Sequence, residues 1–151
     1  MTLSAGDKAP AFSLLDQDGS KVRLSQFKGR KVLVYFYPKA DTPGCTTQSC
    51  ALRDIMGDIG DTAVLGISPD EPAKQKKFDD KYSLGFPLLS DTDHAVAEAY
   101  GAWGEKSMYG KTYMGILRGH AIIGADGRIE DLRVKISPQE SVDAAVAFLS
   151  E

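Results

Sequence analysis

Two apolar runs on either side of a helical segment constrain the fold of this chain more than any other feature. Lys31–Tyr37 and Thr62–Ser68 are rich in β-branched and aromatic residues and lack polar alternation, which is typical of strands buried on both faces. The segment between them, Gly44–Met56, contains no proline and few β-branched residues, as an α-helix requires. This order of strand, helix and strand predicts a βαβ unit, whose two strands lie parallel in one sheet.

Two further pairs of short runs predict β-hairpins. The first pair is Phe12–Leu15 and Lys21–Leu24, and the second is Ile116–Ile123 and Arg128–Val134, each joined by a turn that contains Asp-Gly. Together with the βαβ unit they predict an α/β sandwich of thioredoxin-like type, with a central mixed sheet flanked by helices and an N-terminal β-hairpin. Because no repeat or linker interrupts the chain, residues 1–151 are expected to form a single domain.

Three later segments carry signals for the start of a helix. Residues 68–71 (Ser-Pro-Asp-Glu) and 137–140 (Ser-Pro-Gln-Glu) have the spacing of a capping box, with proline at the first helical position. They predict one helix that runs to about Tyr82 and another near the end of the chain. Between them Asp93 precedes apolar residues at helical spacing, so a helix is also expected within Ser90–Tyr100.

Composition excludes several classes of function. With 42% apolar and 26% charged residues, the chain resembles an ordinary folded domain rather than a disordered one. The net charge is −3 and no basic patch stands out, so no nucleic-acid partner is expected. The longest apolar run is too short to cross a membrane, and the N-terminus lacks a signal-peptide pattern. These observations predict a cytoplasmic protein without a membrane partner.

Cysteine use indicates thiol chemistry. The chain has only two cysteines, Cys45 and Cys50, which are too few for a disulfide framework. In a reducing compartment, such a pair is more often catalytic, redox-sensing or metal-binding than structural. Metal is the least favoured of these roles, because His94 and His120 stand at no ligand-like spacing. No phosphate-binding or dinucleotide-binding motif is present. We therefore expect neither a metal nor an organic cofactor.

Cys45 follows the first buried strand and falls in the first turn of the predicted helix. Pro43 and Gly44 suit a tight entry to that helix. Unpaired N–H groups and the positive end of the helix dipole favour a thiolate at this position. The alternative is an inert, buried cysteine of the first turn.

The spacing of Cys50 from Cys45 is informative. On an ideal helix, residues i and i+5 have Cα atoms about 8.7 Å apart, whereas a disulfide needs roughly 4.4–6.8 Å. A bond between them requires the start of the helix to unwind, which suits a bond made and broken in turnover better than a permanent one. The spacing is not Cys-x-x-Cys, which disfavours a thioredoxin-style reductase. The alternative for Cys50 is a small core residue of the helix.

The segment around these cysteines resembles a known family. Pro38-x-x-x-Thr42-x-x-Cys45 is similar to the active-site motif of the peroxiredoxins. The longer strings Tyr35–Pro38 and Thr42–Thr46, followed by Cys50, resemble the peroxiredoxin Q or bacterioferritin comigratory protein subfamily. The resemblance covers the whole chain, with further matching blocks at 6–12, 66–70, 86–91 and 118.

The resemblance implies a thiol peroxidase that reduces hydrogen peroxide and organic hydroperoxides. Cys45 matches the peroxidatic cysteine, which becomes a sulfenic acid. Cys50 matches the resolving cysteine, which forms an intramolecular disulfide that thioredoxin or a similar dithiol reduces. The resemblance also implies a monomer.

Other residues match the substrate-binding set of that family. Thr42 matches the hydroxyl that hydrogen-bonds thiolate and peroxide, and Pro38 matches the residue that shields the pocket. Arg118 matches the arginine that stabilises the thiolate and orients the substrate. The backbone N–H groups of Gly44 and Cys45 would complete the donors.

Several side chains near this set have two possible interpretations. Gln48 either holds Arg118 or lies on the surface. His120 departs from the family pattern and would share a strand face with Arg118. It either approaches the active site or packs partly buried beside the sheet, and we favour the second. His94 is expected to face solvent. For Trp103, Tyr109 and Tyr113, in a glycine-rich stretch, we favour core positions over substrate contact.

Two other functions remain open. A peroxide-sensing or chaperone-like protein would share the first step, the oxidation of Cys45 by peroxide, but with little turnover. A thiol–disulfide reductase would instead act on proteins, without peroxide. A Cys50→Ser substitution separates the enzyme from the sensor, since the enzyme would stop after one turnover.

Overall fold

Most of the chain folds around one mixed sheet. The structure, a computed structural model, describes residues 3–40, 42–55 and 62–149. Its strands are β1 (Ser13–Leu15), β2 (Lys21–Arg23), β3 (Val32–Phe36), β4 (Ala63–Ser68), β5 (Leu88–Ser90), β6 (Trp103–Met108), β7 (Lys111–Ile116), β8 (Gly119–Ile123) and β9 (Ile129–Val134). Its α-helices are α1 (Pro43–Ile55), α2 (Pro72–Tyr82), α3 (Ala95–Ala99) and α4 (Pro138–Leu149), and a 3-10 helix spans Leu24–Phe27. None of the described helices is both long enough and apolar enough to cross a membrane.

The strand order confirms the predicted topology. Within the described residues seven strands pair in the order β2-β1-β5-β4-β3-β8-β9. Strands β3 and β4 are parallel, from Val32 beside Ala63 to Phe36 beside Ile67, and β4 is parallel to β5. Strands β1 and β2 form the N-terminal hairpin, while β8 pairs antiparallel with both β3 and β9. The mixed sheet and the βαβ unit are therefore confirmed, while the Met56 end of the predicted helix lies outside the described residues.

The central strands separate two apolar cores. Val32, Val34 and Phe36 of β3 pack into one core with α3 and the N-terminal hairpin. Leu33 and Tyr35 point to the other face, where the core includes residues of α1, α2 and α4. Because successive side chains of a strand alternate between faces, both sets must be apolar. The unbroken apolar run of β3 follows from this double burial.

One of the two predicted capping boxes is wrong. Helix α2 begins at Pro72 rather than Pro69, with Glu71 as its N-cap residue. Ser68 is the last residue of β4, and its hydroxyl donates to Asp70 Oδ2 at 2.8 Å instead of capping a helix. At α4 the prediction is confirmed: Glu140 N donates to Ser137 Oγ at 3.1 Å. Two segments with the same Ser-Pro-x-Glu pattern thus differ because one continues a buried parallel strand.

The helix expected within Ser90–Tyr100 is shorter than predicted. Strand β5 ends at Ser90, and α3 spans only Ala95–Ala99. Asp91 accepts hydrogen bonds from the backbone N–H groups of Val96 (3.2 Å) and Ala97 (2.9 Å). Asp91, rather than Asp93 alone, therefore fixes the start of this helix.

The glycine-rich stretch forms a separate hairpin of β6 and β7. Tyr109 at its turn is 98% exposed and Tyr113 is 43% exposed, so the prediction of core positions is wrong for both. Trp103 packs against the first core and stacks on His94, with ring centroids 3.7 Å apart. His94 is thus half-buried against an indole ring, not simply directed into solvent. A two-stranded hairpin that extends from the main sheet has too little cover to bury its turn.

Candidate active site

The carboxyl end of β3 leads directly into the segment that carries the cysteines. Tyr37 N donates to Ile67 O at 3.1 Å, which continues the parallel pairing with β4 by one residue. Pro38 follows, is half-buried, and has no N–H to continue the ladder. Ala40 N donates to Asp70 Oδ2 at 2.6 Å. The loop before α1 is therefore fixed to Asp70, which lies two residues after the end of β4.

Cys45 is the third residue of α1. Thr46 N donates to Thr42 O at 2.8 Å, which is an i to i−4 bond at the start of the helix. The amides of Gly44 and Cys45 precede that bond, so the helix itself offers them no acceptor. The first-turn position predicted for Cys45 is confirmed for its backbone; its thiol lies outside what the structure describes.

Thr42 lies immediately before α1 and is half-buried. Its hydroxyl donates to Lys39 O at 2.8 Å. A hydroxyl has one proton and two lone pairs, so in this arrangement Thr42 Oγ1 faces any further partner as an acceptor. The prediction that Thr42 contacts thiolate and peroxide stays a prediction.

Arg118 reaches the same edge of the sheet from the other side of β3. Strand β8 pairs antiparallel with β3, with Gly119 beside Phe36, so Arg118 lies next to the carboxyl end of β3. Its Nη1 donates to Gln48 Oε1 at 2.8 Å, and Ile136 N donates to its carbonyl oxygen at 3.2 Å. Gln48 lies on α1 and is fully buried. Gln48 therefore holds Arg118, and its surface alternative is wrong.

His120 is connected to this pair. It is fully buried on β8, and its Nδ1 lies 2.9 Å from Ser141 Oγ on α4. Ser141 Oγ also accepts a hydrogen bond from Gln48 Nε2 at 3.1 Å. The favoured prediction, a partly buried histidine beside the sheet, is wrong, because His120 is fully enclosed and bonded to the residues that hold Arg118.

Cys50 lies in the same helix as Cys45 but further from its start. It is half-buried, packs against the second core, and is a free thiol. Both cysteines belong to one continuous helix, as predicted. With ideal helical geometry their Cα atoms are about 8.7 Å apart, so a bond between them requires a local change of backbone.

The profile of the AhpC/TSA family matches residues 5–132. The chain belongs to this family. It is 52% identical to Peroxiredoxin Bcp of Escherichia coli strain K12 over 151 residues, which cover 99% of this chain and 97% of that protein. It is 56% identical to a putative peroxiredoxin bcp of Haemophilus influenzae, over 97% of this chain and 96% of the relative.

Solved structures agree with this membership. The bacterioferritin comigratory protein of Xanthomonas campestris, studied for its alkyl peroxide reduction activity, matches with a TM-score of 0.88 and 30% identity over 96% of each chain. The thioredoxin-like fold and the peroxiredoxin resemblance of the sequence are thereby confirmed.

Two polar residues around this peroxiredoxin site are not predicted as site residues by the sequence. Asp70 fixes the loop before α1, and Ser141 joins Gln48 to His120. Asp70 belonged to a segment whose pattern was interpreted as a helix cap. Ser141 is a buried polar residue beside the apolar face of α4, which is the one signal that could have drawn attention to it.

Proposed function

We propose that this chain is a thiol peroxidase that reduces hydrogen peroxide and organic hydroperoxides at Cys45. The observation that carries the proposal is the 2.8 Å hydrogen bond from Arg118 to Gln48, which lies on α1 three residues beyond Cys45. The alkyl peroxide reduction activity studied for the Xanthomonas campestris protein supports the substrate class.

In the first step the Cys45 thiolate attacks the terminal oxygen of a hydroperoxide. The S–O bond forms as the O–O bond breaks, Cys45 becomes a sulfenic acid, and the alkoxide or hydroxide takes a proton from water. The helix N-terminus and the permanently charged guanidinium of Arg118 favour the thiolate and the developing negative charge. Thr42 Oγ1, which donates its own proton in a hydrogen bond to Lys39 O, can accept a hydrogen bond from the O–H of the substrate. Pro38 shields this reaction from water.

In the second step Cys50 resolves the sulfenic acid. Its sulfur attacks the Cys45 sulfur, the disulfide forms, and water leaves. Because ideal helical geometry separates the Cα atoms by about 8.7 Å, the start of α1 must unwind and Cys50 must leave its packing against the second core. A thioredoxin-like dithiol then reduces the disulfide by exchange, which returns the two electrons.

The same chemistry supports a reducing compartment and a single copy. A disulfide that must be reduced in every cycle fits the cytoplasm, where dithiol reductants keep thiols reduced. Both reacting cysteines lie on one helix, so the cycle uses no cysteine of a second copy. We therefore propose a cytoplasmic monomer with thioredoxin as reductant.

The test of this function is peroxide consumption in the presence of thioredoxin, its reductase and NADPH. The wild type is expected to turn over continuously, and Cys50→Ser to consume about one equivalent and stop, since the sulfenic acid has no resolving thiol. Intact mass distinguishes the products: wild type without reductant loses two hydrogens, whereas Cys50→Ser gains one oxygen. A wild type that gains one oxygen and never forms the disulfide would contradict the enzyme and favour the sensor.

Arg118→Ala is expected to lower the second-order rate constant for oxidation of the reduced protein by about a hundredfold, the usual loss when one donor to a developing anion is removed. Arg118→Lys keeps the charge but loses the planar fork, so we expect a smaller loss, of about tenfold. The rate is measured in single-turnover oxidation by hydrogen peroxide. Arg23→Ala, an exposed arginine on edge strand β2, is the matched control. An Arg118→Ala rate equal to that of this control would contradict the role.

A further inference from the structure

A line of side chains runs from Arg118, on the side of the sheet that α1 and α4 cover, to the edge strand β9. Arg118 Nη1 donates to Gln48 Oε1 (2.8 Å), and Gln48 Nε2 donates to Ser141 Oγ (3.1 Å). Ser141 Oγ and His120 Nδ1 are 2.9 Å apart, and His120 Nε2 lies 3.5 Å from Asp131 Oδ2. We call Arg118, Gln48, Ser141, His120 and Asp131 the relay. It joins α1, α4, β8 and β9.

The chemistry of the groups fixes the direction of each hydrogen bond. Arginine has only donors, so the carbonyl oxygen of Gln48 must face Arg118 and its NH2 group must face Ser141. Ser141 Oγ accepts a hydrogen bond from that NH2 group and still has its own proton with which to donate. His120 Nδ1 can accept the hydrogen bond from Ser141 when the imidazole is neutral and carries its proton on Nε2. In this state all the bonds point from Arg118 towards Asp131.

The far end of the relay supports this tautomer. Asp131 is a carboxylate with a side chain only 18% exposed, so an unprotonated Nε2 facing it at 3.5 Å would place two electron-rich atoms opposite each other. A proton on Nε2 makes the same contact attractive. The distance is too long for a well-formed hydrogen bond, and among the described residues this fully buried nitrogen has no hydrogen-bond partner.

We propose that His120, acting through Ser141 and Gln48, is a positioning residue that fixes the guanidinium of Arg118 for peroxide reduction. The inference rests on the proposed function of Cys45 and Arg118. The hydrogen bonds from the Arg118 cation to His120 are polarised along the chain, so that each bond strengthens the next. The Asp131 carboxylate, 3.5 Å from Nε2, attracts the far end electrostatically. Without the bond to Ser141, the side-chain amide of Gln48 could rotate. The relay thereby holds this amide in the orientation that Arg118 needs.

The surroundings keep His120 neutral in this role. Burial lowers the pKa of His120, the nearby Asp131 carboxylate raises it in part, and Arg133 lowers it further. The helices present uncharged Ser141 and Gln48, and Tyr35 of β3 is its cross-strand neighbour. Protonation at acid pH would place a proton on Nδ1, so that Ser141 could no longer donate to it. The relay should therefore weaken as pH falls below the ordinary histidine range.

The first test removes the middle of the relay. Ser141→Ala is expected to lower the single-turnover rate constant with hydrogen peroxide about five- to tenfold at pH 7.5, the value of a neutral hydrogen bond transmitted to the reacting group. Ser49→Ala is the matched control: it removes another buried serine hydroxyl, bonded to Tyr35 across 2.7 Å, from the helix that carries Gln48. Equal rates for the two variants would overturn the proposal.

The second test separates hydrogen bonding from packing at His120. In His120→Asn, the amide oxygen can occupy the position of Nδ1 and accept the hydrogen bond from Ser141, and the amide does not titrate. Its rate at pH 7.5 should stay within about twofold of wild type, while His120→Leu should fall as far as Ser141→Ala. The ratio of the Asn variant's rate to the wild-type rate removes any pH dependence that the two proteins share. This ratio should rise as the pH falls below the ordinary histidine range. A ratio that stays constant with pH, or equal rates for Asn and Leu, would overturn the proposal.

A spectroscopic test is independent of activity. The ¹⁵N resonances of His120, assigned with a His94→Gln variant, should show the Nε2–H tautomer in the wild type at pH 7.5. The Nδ1–H tautomer would overturn the proposal whether or not peroxide reacts. A wild type that shows the expected tautomer but gives no oxidised Cys45 would contradict the proposed function instead, and the two failures are thereby distinguishable.

Discussion

A chain in which serine replaces Cys45 is expected to reduce peroxide at less than about a thousandth of the wild-type rate. A serine hydroxyl is far less acidic than a thiol, so no anion forms at neutral pH, even in the first turn of α1. Oxygen also cannot form the equivalent of a sulfenic acid, which is the oxidised state that the reaction requires. The measurement is the initial rate of peroxide consumption with thioredoxin, its reductase and NADPH.

Cys50→Ser is the matched control for this substitution, since it makes the same exchange of sulfur for oxygen five residues later in the same helix. It should consume its first equivalent of peroxide at the wild-type rate, although it cannot continue. If Cys45→Ser consumed one equivalent and Cys50→Ser none, the roles of the two cysteines would be reversed. If both variants turned over continuously, thiol catalysis at this helix would be wrong.

The fold was predictable where burial leaves a mark in the sequence. Strand β3 sends side chains into both cores, so it is apolar throughout, and β4 is buried along its whole length. Strand β5 has only three residues, too few for a period to be visible. Strand β7 is exposed over its first four residues. It is held by hydrogen bonds to β6 rather than by burial, and sequence patterns detect only burial. Strands β5, β6 and β7 were therefore missed. Strands β1 and β2, with three residues each, were predicted because the turn between them contains Asp-Gly.

The site residues that are close in sequence could be predicted, whereas the contacts between residues far apart in sequence could not. Pro38, Thr42 and Cys45 are close in sequence, so one motif places them at the start of α1. Arg118 is 70 residues from Gln48, and Ser141 is 93 residues from it. Sequence comparison with the family could suggest Arg118, whereas the bond from Gln48 to Ser141 depends on how α1 and α4 pack. Nothing in the local pattern of α4 determines that contact.

Gly119→Ala is expected to lower the free energy of unfolding by about 3 kcal/mol or more, because the added methyl group has no space. A Cβ at this position would overlap the backbone oxygen of Arg133 and lie 2.9 Å from Val134 Cα. Both are main-chain atoms of the paired strand β9, in which Val134 is the register partner of Gly119, so neither can rotate away. Relief requires β8 and β9 to separate between Arg118 and His120. Urea unfolding measures the loss, and peroxide oxidation of the remaining folded protein should also slow.

Gly115→Ala is the matched control for this prediction. Gly115 also lies in a strand, but its added Cβ would meet Lys106 Cδ at 3.1 Å and a Tyr113 ring carbon at 3.4 Å. Both are side-chain atoms on the exposed hairpin, which can move at little cost, so the loss should stay below about 1 kcal/mol. Equal stabilities for the two variants would mean that β9 yields readily at Arg133. The position of Arg118 would then depend on the relay and on α1 rather than on the close approach of β8 to β9.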